Sequence, residues 1–261
     1  MTYDIKVLDL GSADIDHNRI VSTGRPGDDV RVPIQGFLLL GGSDVVLVDT
    51  GFRHPDILKR LGMRGYESEE QKLENQLGRH GVKKSDIRYI LLTHLHIDHG
   101  GQVDHFDMTT TAIINRRELE YSASGLSGPS YPPEDVTHMI QRLHVKDALW
   151  PLDLAETGSE QILPGIRCEL AGGHTEGSLV VYVDTADGLA CLCGDIIYRV
   201  GEQLFSQKSV LVNDPVLSGN TVVTRRGEKA AIKRVLNRAS IVYPSHDQPF
   251  RVVNARPVRA E

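Results

Sequence analysis

The sequence predicts a layered α/β fold in which two sheets pack together with helices outside. Three observations carry that expectation. Short runs rich in Val, Leu and Ile are broken by Gly-Gly and Asp-Thr-Gly turns. The same cadence, several short strands and then helices, occurs in both halves of the chain. Residues able to do chemistry follow directly after strand-like runs, where open α/β structures assemble their sites. A doubly wound parallel sheet would give a similar pattern, and periodicity does not separate the two.

The elements follow in order. Ile5–Leu10, Gly36–Leu40 and Val45–Asp49 read as strands. Glu69–His80 reads as an amphipathic helix, with Leu73 and Leu77 on one face and Gly81 as its stop. Arg88–Thr93 is a buried strand, Thr111–Ile114 a short strand and Arg116–Tyr121 a helix. Residues 122–135, rich in Gly, Pro and Ser, read as an irregular excursion before a helical stretch over Thr137–Leu143. Strands resume at Ile166–Leu170, Leu179–Val183 and Leu189–Cys193, followed by a helix over Glu228–Arg238 and a last strand at Ile241–Tyr243. There is no repeat, low-complexity tract or long linker, and a single domain over residues 1–261 is expected.

Composition bounds the function. With 261 residues and 40% hydrophobic content the chain can bury a sizeable core. A net charge of −6 gives no electrostatic reason to expect nucleic acid or an anionic membrane as partner. The apolar runs fall far short of the roughly 20 residues that span a bilayer. The first residues, MTYDIKVLDL, have no cationic region ahead of an apolar core, so no signal peptide is expected. Cys168, Cys191 and Cys193 are too few, and odd in number, for a disulfide scaffold, and a cytoplasmic location is expected. Cys191 and Cys193 read as small buried hydrophobes.

The most informative stretch is THLHIDHGG, Thr93 to Gly101, which places His94, His96, Asp98 and His99 within six residues directly after a buried strand. His94 and His96, two apart, point the same way in extended backbone. Asp98 and His99 follow as the chain turns, and Gly100-Gly101 lets backbone pass close by. Imidazole and carboxylate suit zinc, and ligands on opposite sides of a turn suit two metals. Four ligands do not complete two sites. The remaining candidates again follow strands: His174 after Ile166–Leu170, Asp195 after Leu189–Cys193, and His246 after Ile241–Tyr243.

This pattern resembles the metallo-β-lactamase-fold hydrolases, from Asp49 in LVDTG to His246 in YPSHD. The resemblance implies a four-layer αββα sandwich with a dinuclear site at one edge. One metal would take His94, His96 and His174, the other Asp98, His99 and His246, and Asp195 would bridge them. Asp49 would hold ligands through hydrogen bonds rather than bind metal. Two Zn2+ are expected, although such donors also accept Fe, Co and Mn.

Within that family Asp195 at the bridging position argues against a true β-lactamase, and His96 stands where the di-iron oxygen-reducing branch carries Glu. Fifteen residues follow His246, too few for the helical glutathione-recognition domain of glyoxalase II. The net charge disfavours the nuclease branches. Tyr198, three residues after Asp195, resembles the N-acyl homoserine lactonase-like branch, where a tyrosine at that spacing leans over the metals. Asn115–Tyr121 and Asn213-Asp214-Pro215 resemble segments of the same branch. That branch reads Pro-Gly-His before the third histidine; here it is Gly172-Gly173-His174, a departure that keeps the histidine and loosens the loop.

The resemblance implies opening of a lactone by a metal-bridging hydroxide, with Tyr198 donating to the oxyanion and Asp98 shuttling the proton to the leaving oxygen. No Gly-x-Ser-x-Gly elbow supports a serine nucleophile. Ligand residues alone do not separate a lactonase from a thioesterase, an amidase or cyclic-imide hydrolase, or a phosphodiesterase; a non-catalytic metal-binding module is the remaining alternative, and the complete ligand set weighs against it. The partner is expected to be a small molecule, and a homodimer is the default assembly. Specificity is assigned to three loops: Asp14–Asp29 with His17, Arg19 and Arg25; Tyr121–Trp150 with Tyr131, His138, His144 and Trp150; and Tyr198–Val212 with Phe205. His54, His80 and His105 are read as surface residues.

Overall fold

A computed structural model describes residues 1–126, 128–205, 214–220 and 222–258. Its strands are β1 (Asp4–Asp16), β2 (Asp29–Leu40), β3 (Val45–Val48), β4 (Arg64–Tyr66), β5 (Ile87–Leu91), β6 (Thr111–Asn115) and β7 (Leu149–Leu152) in the first half. The second half adds β8 (Ser159–Leu163), β9 (Ile166–Leu170), β10 (Leu179–Thr185), β11 (Gly188–Gly194), β12 (Ile241–Pro244), β13 (Phe250–Val253) and β14 (Arg256–Val258). The α-helices are α1 (His17–Ile20), α2 (Leu73–Gly78), α3 (Arg116–Ala123), α4 (Pro133–Leu143), α5 (Leu154–Thr157), α6 (Val200–Gln203) and α7 (Arg225–Arg238).

Each half forms one seven-stranded sheet, in the orders β4-β1-β2-β3-β5-β6-β7 and β14-β13-β12-β11-β10-β9-β8. The strands β3, β5, β6 and β7 run parallel, as do β11 and β12, and the other pairings are antiparallel. Side chains alternate across these strands with period two, and the alternation sorts them into three cores. Val46 and Val48 of β3 face inward to Val181, Val183 and Leu192 of the other sheet. Leu47 faces outward to a core that includes Leu73 and Leu77 of α2, Leu119 of α3 and Met139 of α4. On the far side Val180, Cys191 and Cys193 pack with Ala231, Ile232 and Val235 of α7. Three cores separate four layers, so the order is αββα, as the resemblance implied.

Several boundaries differ from the sequence reading. Glu69–His80 is not one helix: a 3₁₀ turn at Glu69–Gln71 is separated from α2 by Lys72, at ψ 136°. Side-chain amides cause the break. Asn75 Nδ2 donates to Glu69 O at 2.7 Å and Gln76 Nε2 to Glu70 O at 2.6 Å, capping carbonyls that a continuous helix would bond to backbone N–H. The excursion over 122–135 ends earlier than expected, because Pro133 opens α4 at the first helical position, where a missing N–H costs nothing. The opening loop is shorter than Asp14–Asp29: β1 runs to Asp16 and pairs with β2 back to Asp29. The edge strands β4, β7, β8 and β14 were not anticipated. Two of them carry Pro151 and Pro257, which a sheet tolerates at its edge. Among the described residues no helix is long and apolar enough to cross a membrane.

Candidate metal centre

The loops that leave β5, β11 and β12, and the turn between β9 and β10, meet at one edge of the sandwich. They bring together all seven positions singled out in the sequence. His174 Nε2 lies 3.0 Å from His94 Nε2 and 3.0 Å from His96 Nδ1. Asp195 stands between two groups. Its Oδ2 is 3.4 Å from His174 Nε2 and 3.8 Å from His94 Nε2, while its Oδ1 is 3.2 Å from both His99 Nε2 and His246 Nε2. Asp98 completes the second group, with Oδ2 at 3.5 Å from His246 Nε2 and Oδ1 at 3.8 Å from His99 Nε2. Two trios, His94/His96/His174 and Asp98/His99/His246, therefore present donor atoms close enough to hold an ion.

Hydrogen bonds behind the rings set which nitrogen faces inward. His99 Nδ1 donates to Asp49 Oδ2 at 2.8 Å, and His246 Nδ1 donates to Pro33 O at 2.8 Å. Thr93 Oγ1 gives its proton to Asp49 Oδ2 at 2.7 Å, so its lone pair accepts from His94 Nδ1 at 3.1 Å. In the neutral form, the one that binds a cation, each of these three rings turns an Nε2 lone pair into the cluster. His99 Nε2, His246 Nε2 and Asp195 Oδ1 are buried and have no hydrogen-bonding partner among the described residues. Leaving such atoms unsatisfied costs about 1–3 kcal/mol each. Convergent lone pairs and a carboxylate oxygen fit a divalent cation, which would satisfy all of them at once.

The backbone is bent to achieve this. Asp49 and His174 adopt φ of +57° and +66°, a left-handed conformation uncommon outside glycine. Gly101 is required by close approach: a Cβ there would lie 2.3 Å from Arg53 N, where the histidine loop crosses the exit of β3. The crossing is tied by Thr50 N donating to His99 O at 2.7 Å and Gly101 N to Gly51 O at 2.9 Å. At Gly172 the φ of +67° lies outside what proline can adopt, so this turn follows a path that Pro-Gly-His could not take.

The charges pull in opposite directions across the cluster. Burial pushes His94 well below the usual histidine range, with the neighbouring rings adding to it, and pushes His174 down to about 3. At His99 and His246 burial also acts downward, but the surrounding carboxylates, Asp195 foremost, outweigh it and raise both. Burial works against the Asp195 carboxylate, yet His246, His99 and His174 together hold it well below the ordinary range. One buried anion is thus held among several imidazole rings, each of which favours its charged form.

Tyr198 joins the cluster. Its ring stacks on His246 at 5.3 Å and 6°, and its hydroxyl lies 3.3 Å from His174 Nδ1. Burial first, then Asp195, raises its pKa well above the tyrosine range, so the hydroxyl stays protonated as a donor. Gln203 fixes the approach: its Oε1 accepts from Tyr198 N at 2.7 Å and Arg199 N at 3.0 Å.

Other supports were not read from the sequence. Glu118 is fully buried, and its carboxylate accepts from Leu95 N at 3.0 Å, Tyr131 Oη at 2.8 Å and Thr175 Oγ1 at 2.6 Å. It ties α3 to both histidine loops. Asn220 Nδ2 donates to His174 O at 2.8 Å. Of the residues assigned to specificity, Arg19 lines the cavity above the cluster. His17 instead pairs with Glu202, Tyr131 with Glu118, and His138 with Arg142. Trp150 packs at the inter-sheet core and Phe205 against the α7 core. Arg25, His144, His54, His80 and His105 stand outside the cluster and the cavity. Residues 206–212 of the third loop, and Asn213, lie outside the described residues.

A cluster of this geometry at the edge of an αββα sandwich defines a class of metal-dependent hydrolases. The model of the metallo-β-lactamase superfamily matches residues 31–246, and the chain belongs to that superfamily. The N-acyl homoserine lactonase AiiA of Bacillus thuringiensis subsp. kurstaki is 28% identical over 193 residues, 68% of this chain and 69% of that protein. A solved quorum-quenching N-acyl homoserine lactone hydrolase superposes with TM-score 0.72 at 22% identity, covering 95% of this chain and 93% of the other. AidC, a dizinc quorum-quenching lactonase, superposes with TM-score 0.67 at 16% identity over 100% of this chain and 98% of its own.

Proposed function

We propose that the protein is a dinuclear metal-dependent lactonase that opens the cyclic ester of a small organic molecule. The observation that carries this reading is the two-sided position of Asp195, with one oxygen toward His94 and His174 and the other toward His99 and His246. His94, His96 and His174 would hold one divalent ion, Asp98, His99 and His246 the other, and Asp195 would bridge them. Zinc suits the nitrogen and carboxylate donors and is the metal named for AidC. Such a pair supplies Lewis acidity, which lowers the pKa of water towards neutrality and polarises an ester carbonyl.

The chain's own residues do the rest. The Tyr198 hydroxyl, kept protonated by its surroundings, donates to the oxyanion that develops on the carbonyl. Asp98 and Asp195 both line the cavity; with Asp195 as the bridge, Asp98 would carry the proton to the leaving oxygen. A ring ester keeps its leaving group attached, so the product is one hydroxy acid. The likeness to the N-acyl homoserine lactonases supports a lactone over other esters.

The test is chelation followed by reconstitution, with metal content and hydrolysis of a lactone panel measured together. Two equivalents of zinc should restore an activity that chelation removes. Undiminished hydrolysis by the metal-free protein, or no lactone opened by the fully loaded one, would overturn the reading.

A further inference from the structure

The cavity above the cluster has a volume of about 270 Å³ and largely apolar walls, formed by Ile15, Ile20, Leu61, Met63, Ile97 and Val222. Apart from the groups of the cluster at its floor, Arg19 is the one ionisable side chain among the described residues that line it, Tyr198 aside. Its Nη1 donates to Leu61 O at 3.2 Å, and no carboxylate among the described residues lies within ion-pairing distance of it. The nearest acid in the sequence, Asp16, feels the Arg19 charge but makes no ion pair with it; its oxygens accept from Asn18 N and Gly27 N, both at 2.9 Å.

The backbone that presents Arg19 is held on several sides. Asp16 caps α1, His17 Nε2 pairs with Glu202 Oε2 at 2.7 Å, and Gly219 N donates to Arg19 O at 3.1 Å. Gly219 sits so close that a Cβ would fall 1.7 Å from Asn18 O. The backbone that carries the guanidinium is thus a clamped turn at the wall of a largely apolar cavity, and among the described residues Leu61 O is the one acceptor its side chain meets.

We propose that the substrate carries, besides its scissile ester, a carboxylate that Arg19 binds; this rests on the lactonase reading above. Arg19 is exposed and makes no ion pair among the described residues, and a neutral substrate seated against it would displace part of its hydration without replacing it, which is unfavourable. A carboxylate offsets that charge and matches the planar fork with two parallel hydrogen bonds. The apolar walls would cover the chain between the two groups.

The experiment compares two γ-lactones with side chains of equal length, one ending in a carboxylate and one in a methyl group. For the metal-loaded protein kcat/KM should favour the carboxylate by about tenfold, as expected for one such pair at a solvent-reachable wall. Arg19→Met should abolish that preference, Arg19→Lys should keep part of it, and Arg19→Glu should turn it toward a lactone ending in an ammonium group. Calorimetric binding of the matching cyclic ether, which has no carbonyl to attack, should weaken about tenfold in Arg19→Met. Equal kcat/KM for the two lactones, or a preference and ether affinity that survive Arg19→Met, would overturn the proposal. Failure to open either lactone while the ether still binds through Arg19 would overturn the lactonase reading instead.

Discussion

Asp49 Oδ2 lies 2.8 Å from His99 Nδ1, while the same carboxylate accepts from Thr93 N at 2.8 Å and Thr93 Oγ1 at 2.7 Å. One buried anion therefore fixes the tautomer of His99 directly and that of His94 through Thr93. Asp49→Asn keeps the left-handed backbone, which asparagine tolerates, but leaves one oxygen to serve three donors. Metal affinity should fall about 10- to 100-fold with the fold retained, as for other partners behind metal-binding histidines. Competition with a chromogenic chelator, alongside circular dichroism, measures both. Unchanged affinity would mean that the rings are oriented without Asp49.

Glu118 makes a second prediction, on stability. Truncation to alanine leaves Leu95 N, Tyr131 Oη and Thr175 Oγ1 without their shared acceptor in a buried place. Glu118→Ala should cost about 3 kcal/mol or more, since each buried donor left unpaired costs about 1–3 kcal/mol. Urea unfolding of the metal-free protein is the proper measurement, because bound metal adds its own stabilisation. A loss below about 1 kcal/mol would show that water replaces the carboxylate.

Glu118 also shows where sequence reading stops. The cluster was legible because four candidate ligands, three histidines and one aspartate, fall within six residues in THLHIDHGG, and because His174, Asp195 and His246 each follow an apolar run that ends a strand. The strands β3 and β11 were legible because both faces are largely covered and their residues are apolar or small, and β5 and β6 because each carries a short apolar run, Ile90-Leu91 and Ala112-Ile113-Ile114. Glu118 has no such signature. Its partners come from three separate segments, and one buried carboxylate in Arg116–Ala123 looks like the charged face of any surface helix. The edge strands β7 and β14 were hidden because Pro151 and Pro257 break the pattern at places where a neighbour is missing anyway. The split of Glu69–His80 depends on side-chain amides: Asn75 and Gln76 reach back six residues to Glu69 O and Glu70 O, a competition that periodicity does not register, and Gln71 reaches Asp9, which only folding brings near.

Tyr198 separates rate from metal content. In Tyr198→Phe the ring can still stack on His246, and Gln203 still holds the backbone N–H groups on either side of the Tyr198–Arg199 peptide. The hydroxyl alone is lost. A donor to a developing oxyanion is worth roughly a hundredfold in kcat, so kcat should drop by about that factor while two metals remain bound. Single-turnover kinetics with metal analysis on the same sample checks this. A parent-like kcat would remove Tyr198 from the reaction.

The turn before His174 gives the last prediction. Gly172 holds φ +67° and His174 φ +66°, so the chain reaches the cluster by a left-handed path. Proline, locked near −65°, cannot follow that path. Gly172→Pro should move His174 away from His94 and His96 and so weaken the site that these three rings form, while the Asp98, His99 and His246 group keeps its own supports. One metal equivalent should be lost and hydrolysis with it. Gly172→Asn is the control, since asparagine tolerates positive φ and its Cβ would meet only the flexible end of Arg234, at 2.9 Å. It should bind metal like the parent. If Gly172→Pro did so as well, the turn would be free to take the Pro-Gly-His path, and its left-handed geometry would have no part in placing His174.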